Sequence, residues 1–277
     1  MNLLDPQGPV AAGDSTILVD SIAIMLAIVV PTIVAILAFA YYFRASNPRA
    51  FYRPDFAYSG RIELVVWSIP TLTVILLAGV AWIGSHQLDP AAPVAGTGSP
   101  VRIQAVSLDW KWLFIYPDQR IATLNSMTIP VGAPIHIELT SASVMTAFFI
   151  PQLASMIYTM NGMVTRLNMR ADQEGTFKGV ASQFSGDGFP EMMFDVHVVS
   201  ALDFPNWAAG AAKTDRVLNA DSFRELSRQS VENVNATFRL DDPRLFEKIA
   251  TQQIPPAPGP EVKTEAAQSY IGAPNVR

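Results

Sequence analysis

Val144-Met145-Thr146-Ala147-Phe148-Phe149-Ile150-Pro151 opens the stretch on which the reading of this chain turns, and Asp187-Gly188-Phe189-Pro190-Glu191-Met192 closes it. Just before the closing hexapeptide runs Gly175-Thr176-Phe177-Lys178-Gly179-Val180-Ala181-Ser182-Gln183-Phe184-Ser185-Gly186. Segments Met163–Met169 and Met193–Val199 alternate apolar and polar residues, and Asp187-Gly188 is a turn signal. The pattern is that of short strands joined by loops.

The same pattern extends back toward the N-terminus. Val101–Ala105 and Pro134–Thr140 alternate, and Trp110–Tyr116 is an aromatic run that stops at Pro117. Pro117-Asp118 and Pro130-Val131-Gly132 punctuate these runs. Many short strands at this spacing predict an all-β sandwich or barrel over residues 101–200.

Half of the 277 residues are hydrophobic and only 16% are charged, more apolar than an ordinary soluble domain. The excess is concentrated near the N-terminus. Ser21–Phe43 and Leu64–Gly84 carry no formal charge, and each can cross about 30 Å of hydrocarbon as a helix. Aromatic residues stand at their ends, Tyr41, Tyr42 and Phe43 on the first and Trp82 on the second, as at membrane interfaces. Two such runs in tandem predict transmembrane helices at 21–43 and 64–84 joined by a loop at 44–63, with Pro31 and Pro70 tolerated by packing against neighbours. That loop holds Arg44, Arg49, Arg53 and Arg61, while residues 1–20 hold no Lys or Arg and the next basic residue after the second span is Arg102. The positive-inside rule therefore puts the loop in the cytoplasm and both termini in the periplasm of a bacterial inner membrane. No charged segment followed by a short apolar core precedes the first span, so no signal peptide is visible.

Residues 85–100, rich in Pro, Ala and Gly, read as a linker. After Ser200 the character turns helical. Ala201–Ala212 is a short helix broken by Pro205, Asp221 with Ser222 and Glu225 suggests a capped helix, and Asp242-Pro243 caps another, giving a helical arm over 201–252. The Pro- and Ala-rich residues 253–277 read as a disordered tail. The net charge of −5 and the lack of any basic run argue against a nucleic-acid partner.

The opening stretch resembles the copper-binding half of subunit II of the haem-copper oxidases. In that family a His before the first Pro, a Cys-x-x-x-Cys pair, a second His and a Met hold a dinuclear copper centre. Here Thr146 stands in the first His slot, Ala181 and Ser185 in the two Cys slots, Gln183 in the acidic slot between them, and Phe189 in the second His slot; only Met192 survives. A chain with no cysteine has no thiolate for a copper centre of this kind. This degeneracy, together with the long chain after the sandwich, resembles subunit II of the quinol oxidases, the cytochrome bo-type branch. The resemblance implies a two-helix transmembrane hairpin, a cupredoxin-like sandwich and a C-terminal helical arm. It implies an accessory subunit of a proton-pumping terminal quinol oxidase, with no cofactor or catalytic residue in this chain. Haems, catalytic copper and the quinol site belong to subunit I, and subunits I, III and IV and membrane lipid are the partners. The start Asn2-Leu3-Leu4-Asp5-Pro6 is similar to the residues that follow the lipidated cysteine of bacterial members. A membrane-anchored cupredoxin-like binding module or copper chaperone is the alternative.

Other candidate residues have plain readings. His136 and His197 fit a sheet surface or the sandwich interior, and Met156, Met160, Met163 and Met169 fit core gaps better than copper(I). Trp110-Lys111-Trp112 resembles the aromatic patch that serves electron entry in copper-containing relatives. With no acceptor beneath it, packing against subunit I is the expected role. Asp20 is an interfacial carboxylate. Glu63 has two readings: an interfacial carboxylate paired with Arg61, or a proton-entry group, since the family's glutamate at this position is associated with a proton-uptake channel of subunit I.

Overall fold

The computed structural model describes residues 3–51, 53–231 and 234–259. Gly13–Asp89 forms one compact unit, and the segment before it together with the chain after it forms the other.

The first unit is built on two long helices, α1 (Pro9–Tyr42, begun in the segment before it) and α2 (Gly60–Gln87). Both are longer than the apolar runs 21–43 and 64–84. At 1.5 Å per residue, the 34 residues of α1 extend about 50 Å, so its ends outreach a hydrocarbon layer of about 30 Å. Residues 9–20, expected to be an extramembrane segment, are therefore helical, with Pro9 at the first helical position, where a missing N–H costs nothing. Asp20 sits on α1 and is exposed. Pro31 and Pro70 lie inside the helices without ending them. The hydroxyls of Thr32, Thr71 and Thr73 donate to the carbonyls of Ile28, Trp67 and Ile69, one turn back in each case. Within this unit α1 and α2 approach closely at Gly84, where an added Cβ would overlap Ile17.

The second unit is a two-sheet sandwich. Its first strands are β1 (Val101–Leu108), β2 (Lys111–Tyr116), β3 (Ile121–Leu124), β4 (Ser126–Pro130), β5 (Ile135–Ser141) and β6 (Thr146–Ile150). Then come β7 (Ala154–Thr159), β8 (Thr165–Met169), β9 (Gly175–Ala181) and β10 (Met193–Val199). The arm that follows holds α3 (Asp203–Ala211), β11 (Val217–Leu218), α4 (Ala220–Leu226), β12 (Ala236–Leu240) and α5 (Leu245–Ala250). One sheet has the order β11-β12-β3-β2-β1-β5-β8 and the other β4-β10-β9-β6-β7. The pairs β1–β5, β4–β10 and β11–β12 run parallel and the other pairs are antiparallel.

Alternation sends every second side chain inward. Trp112 and Phe114 of β2 meet Phe148 of β6 and Phe194 of β10, and Tyr116 meets Trp207 at 5.2 Å. The Phe148 and Phe194 rings stack at 5.0 Å, and Trp112 meets Phe148 edge-on at 5.1 Å. The buried Tyr116 hydroxyl donates to the Thr128 carbonyl at 3.0 Å and accepts from the Thr128 N–H at 2.8 Å, which ties the two sheets together. Burial pushes the Tyr116 phenol well above its ordinary range.

The arm is more than helical. β11 and β12 extend the larger sheet, and Phe223, Phe238, Leu245, Phe246 and Ile249 form a second core against Leu113 and Ile115 on the outer face of β2. Pro205 does not break α3 because it falls in the first turn, where no interior hydrogen bond is lost. The cap of α4 is Asn219, not Asp221: Asn219 Oδ1 accepts from the N–H groups of Asp221 and Ser222, while Ser222 Oγ accepts from the Asn219 N–H. Two expected flexible segments are also fixed. In the linker, the Asn168 N–H donates to the Pro90 carbonyl at 2.8 Å and the Thr97 N–H to the Gly132 carbonyl at 2.8 Å. In the tail, Ile254 is buried and the Ala257 N–H donates to the Ala142 carbonyl at 2.8 Å. Asn2, at the start compared with a lipidated terminus, and residues 260–277 of the tail lie outside the described residues.

Candidate functional site

One end of the sandwich gathers the turn between β1 and β2, the loop before β6 and the loop between β9 and β10. Thr146 is the first residue of β6, Ala181 the last of β9, and Met193 the first of β10. The loop between β9 and β10 carries one short helical turn, Phe189–Glu191. The sheet therefore brings together positions up to 46 residues apart in sequence, as Thr146 and Met192 are.

The buried Thr146 hydroxyl donates to the Gln183 carbonyl at 3.4 Å. The Ala181 N–H donates to the Met192 carbonyl at 3.1 Å, and the Ser182 N–H to the Ala147 carbonyl at 3.1 Å. Ser185 is buried. Its carbonyl accepts from Trp110 Nε1 at 3.1 Å, while its Oγ has no hydrogen-bond partner among the described residues. Phe189 is half-buried with its ring 5.8 Å from that of Phe184, and Phe184 is 71% exposed. Met192 is buried. The donors at this end are two hydroxyls, an amide and one thioether. Hard neutral oxygens with a single soft ligand do not fit a dinuclear copper centre, which needs thiolate and imidazole.

Trp110-Lys111-Trp112 is not the contact patch expected from its sequence. All three residues are buried within the chain itself. Trp110 takes a left-handed backbone (φ 65°), and its ring lies against Gly188, where an added Cβ would overlap it. That close approach requires glycine. Lys111 Nζ donates to the Arg228 carbonyl and to Ser230 Oγ, both at 2.8 Å, and so fastens the arm. Trp112 belongs to the aromatic core.

The histidines and methionines do not converge. His136 stands on the outer face of the larger sheet, bonded through Nδ1 to Asn168 Oδ1. His197 stands on the outer face of the smaller one, 3.1 Å from Thr176 Oγ1. Met156 and Met163 are exposed, and Met169 is in the core. Glu63 lies in the first turn of α2 and is exposed. Its Oε2 accepts from Trp67 Nε1 at 3.2 Å, so its partner is Trp67 one turn on, not Arg61.

Asp109 escaped the sequence reading. It follows β1 in the turn beside the positive-φ Trp110, and its buried carboxylate accepts from Ser143 Oγ. Burial raises its pKa above the ordinary 3.8, against the lowering by Ser143 and Lys111. The only signal was a carboxylate between an alternating run and an aromatic one. A carboxyl whose folded pKa exceeds its unfolded one favours folding while protonated, and that contribution is lost as pH rises from the unfolded value through the folded one. Asp109→Asn keeps the acceptor for Ser143. It is expected to raise the melting temperature at about pH 7 while changing it little at about pH 4. Melting curves of both proteins at the two pH values check this; an equal shift at both would show that titration of Asp109 is not the cause.

Residues 119–199 match the family model described as cytochrome c oxidase subunit II, periplasmic domain, a range that includes Thr146, Ala181, Gln183, Ser185, Phe189 and Met192. The chain is 44% identical over 253 residues to the cytochrome bo(3) ubiquinol oxidase subunit 2 of Pseudomonas aeruginosa, covering 91% of this chain and 76% of that one. It is 39% identical over 254 residues to the ubiquinol oxidase subunit 2 of Acetobacter aceti, covering 91% and 82%. The crystal structure of the periplasmic domain of subunit II of cytochrome oxidase from Bradyrhizobium japonicum aligns at a TM-score of 0.40 and 23% identity, over 42% of this chain and 96% of that one. Identity at this level over 91% of the chain places it in the family of subunit 2 of the cytochrome bo(3)-type ubiquinol oxidases.

Proposed function

We propose that this chain is the accessory subunit II of a proton-pumping quinol oxidase, contributing assembly and one proton-entry carboxylate but no redox centre of its own. The observation that carries the reading is the site just described. A copper-family scaffold is kept, with Thr146 and Gln183 in contact and Ala181 paired to Met192, while the residues that would bind copper are replaced. Quinol delivers its electrons from within the membrane, so the complex needs no relay from a soluble donor through this domain. On this reading haems and catalytic copper sit in subunit I, where quinol is oxidised and oxygen reduced to water. Subunits I, III and IV are the partners. The test is purification of the complex from its native membrane. Co-purifying oxidase subunits and turnover with ubiquinol are expected. Turnover with reduced cytochrome c in place of quinol would overturn the reading.

The loop arginines support an inner-membrane topology with both termini in the periplasm. Ser46, in the loop, and Ser99, after α2, are both exposed. In intact spheroplasts, Ser99→Cys is expected to react with an impermeant thiol reagent and Ser46→Cys only after lysis. Labelling in the reverse order would invert the topology.

A further inference from the structure

We propose that the loop between α1 and α2 docks anionic phospholipid headgroups, phosphodiesters with net negative charge such as that of phosphatidylglycerol, in the leaflet that it borders. Both helices cross the membrane, and the loop leaves them at the water interface. α1 ends at Tyr42, one residue short of the end of its uncharged run, and α2 begins at Gly60, four residues before its own run starts. Residues 43–59 therefore have little helix to lift them off the headgroups at either end. This holds on whichever side of the membrane the loop lies, so the inference is independent of the topology proposed above.

Local bonds fold the start of the loop back onto the end of α1. The Phe43 N–H donates to the Phe39 carbonyl at 2.9 Å, and Asn47 Nδ2 donates to the Tyr42 carbonyl. The Asn47 N–H donates to the Arg44 carbonyl at 3.0 Å, and the Tyr42 hydroxyl donates to the Arg49 carbonyl at 3.3 Å. Arg44 and Arg49 are thus held beside the interfacial aromatics that close the apolar run. The Arg44 guanidinium carbon lies 4.0 Å from the centre of the Tyr41 ring, and its Nε donates to Ser46 Oγ at 3.0 Å. That leaves its two terminal nitrogens for a ligand. Farther along, the Arg53 guanidinium stands 5.8 Å from the centre of the Phe51 ring. Phe51, Phe56 and Tyr58 are exposed, aromatic rings at the edge of two spans, where such rings settle at headgroup level.

Charge selects the ligand. Between Phe43 and Ile62 stand four arginines, Arg44, Arg49, Arg53 and Arg61, and one carboxylate, Asp55. All five side chains belong to exposed residues, and none is in an ion pair among the described residues. The whole chain carries −5, so this positive surplus is local. A guanidinium presents paired N–H donors that match the two free oxygens of a phosphodiester. Each arginine near an anionic membrane surface strengthens binding about fivefold. A zwitterionic headgroup brings an ammonium with each phosphate and lacks that net attraction.

The test uses the intact oxidase complex in detergent, titrated with dihexanoyl phosphatidylglycerol and read by native mass spectrometry. Dihexanoyl phosphatidylcholine and inorganic phosphate are the comparators. At least one phosphatidylglycerol site is expected to weaken about fivefold in Arg44→Gln and in Arg49→Gln and to strengthen in Asp55→Asn, while phosphatidylcholine binding stays unchanged in all three. Each glutamine variant keeps three of the four arginines that orient the hairpin. Asp55→Asn keeps all four, so it reads the same surplus without removing a topology signal. Phosphatidylglycerol binding equal to the parent's in all three variants overturns the proposal. So does an absence of binding to the parent complex, which would mean that a neighbouring subunit covers the loop. Inorganic phosphate bound as tightly as phosphatidylglycerol would make this a plain anion site, and an equal loss of phosphatidylcholine would make the contact apolar; either result overturns the lipid-charge reading.

Discussion

Thr146→His, Ala181→Cys, Gln183→Glu, Ser185→Cys and Phe189→His, introduced together with Met192 kept, are expected to give a chain that retains copper and turns purple. The expectation rests on the frame around these positions. Ala181 is fixed by strand pairing with Phe148 and by its bond to Met192. Thr146 already touches the Gln183 carbonyl. Ser185 is anchored through Trp110, and its Oγ occupies buried space with no partner among the described residues, where a thiolate would find a metal in place of an unmet hydrogen bond. Phe189 must move most, because its ring packs toward Phe184 at the surface. Copper content after dialysis and a thiolate-to-copper absorption band are the measurements. The unmodified chain, lacking any cysteine, is expected to show no such band. If the five substitutions leave copper unbound in a folded protein, the loop between β9 and β10 has departed from ligand geometry and the frame is not retained.

How much of this was legible follows from what each signal encodes. Hydropathy reports transfer into lipid, so it located the apolar centres of α1 and α2 but not their ends. Pro9–Asp20 is helical because a backbone already wound continues beyond the membrane, which no apolar run records. Alternation located the strands that have one face in the core, such as β5 and β10. It is absent from β2, whose six residues are all buried because the arm covers the face away from the sandwich core. The unbroken apolar run Trp112–Tyr116 is itself the mark of a strand buried on both sides, and read so it would have argued against an external aromatic patch. The two-residue β11 has no periodicity to detect, and the pinning of Pro90–Thr97 lies in backbone hydrogen bonds, which composition does not show. The reading of six positions as degenerate copper ligands comes only from comparison with a ligand pattern. Taken alone, Thr146, Ala181 and Ser185 are ordinary loop and strand residues.

Glu63→Gln is expected to slow quinol-oxidase turnover about 100-fold, the low end of what a positioned proton carrier contributes, while assembly stays intact. The argument begins with place. Glu63 is in the first turn of α2, two residues after Arg61 and one before the uncharged run, on the side the arginines assign to the cytoplasm. It is exposed, and its bond to Trp67 Nε1 engages one carboxylate oxygen of two. On the proposed role, the other oxygen takes a proton from bulk water and passes it to a polar path in the neighbouring subunit. Glutamine can still accept from Trp67, so the helix start and its interfacial Trp are preserved while the titrating proton is removed. Glu63→Asp keeps the charge and shortens the reach, and is expected to lose less. Trp67→Phe separates the two roles: it deletes the hydrogen bond and leaves the carboxylate, so turnover should stay within about twofold of the parent if the proton alone matters. Turnover is compared in complexes of equal haem content across the pH range. Wild-type rates for Glu63→Gln at every pH would make Glu63 an interfacial anchor, and would leave this subunit with no identified residue in the chemistry of the complex.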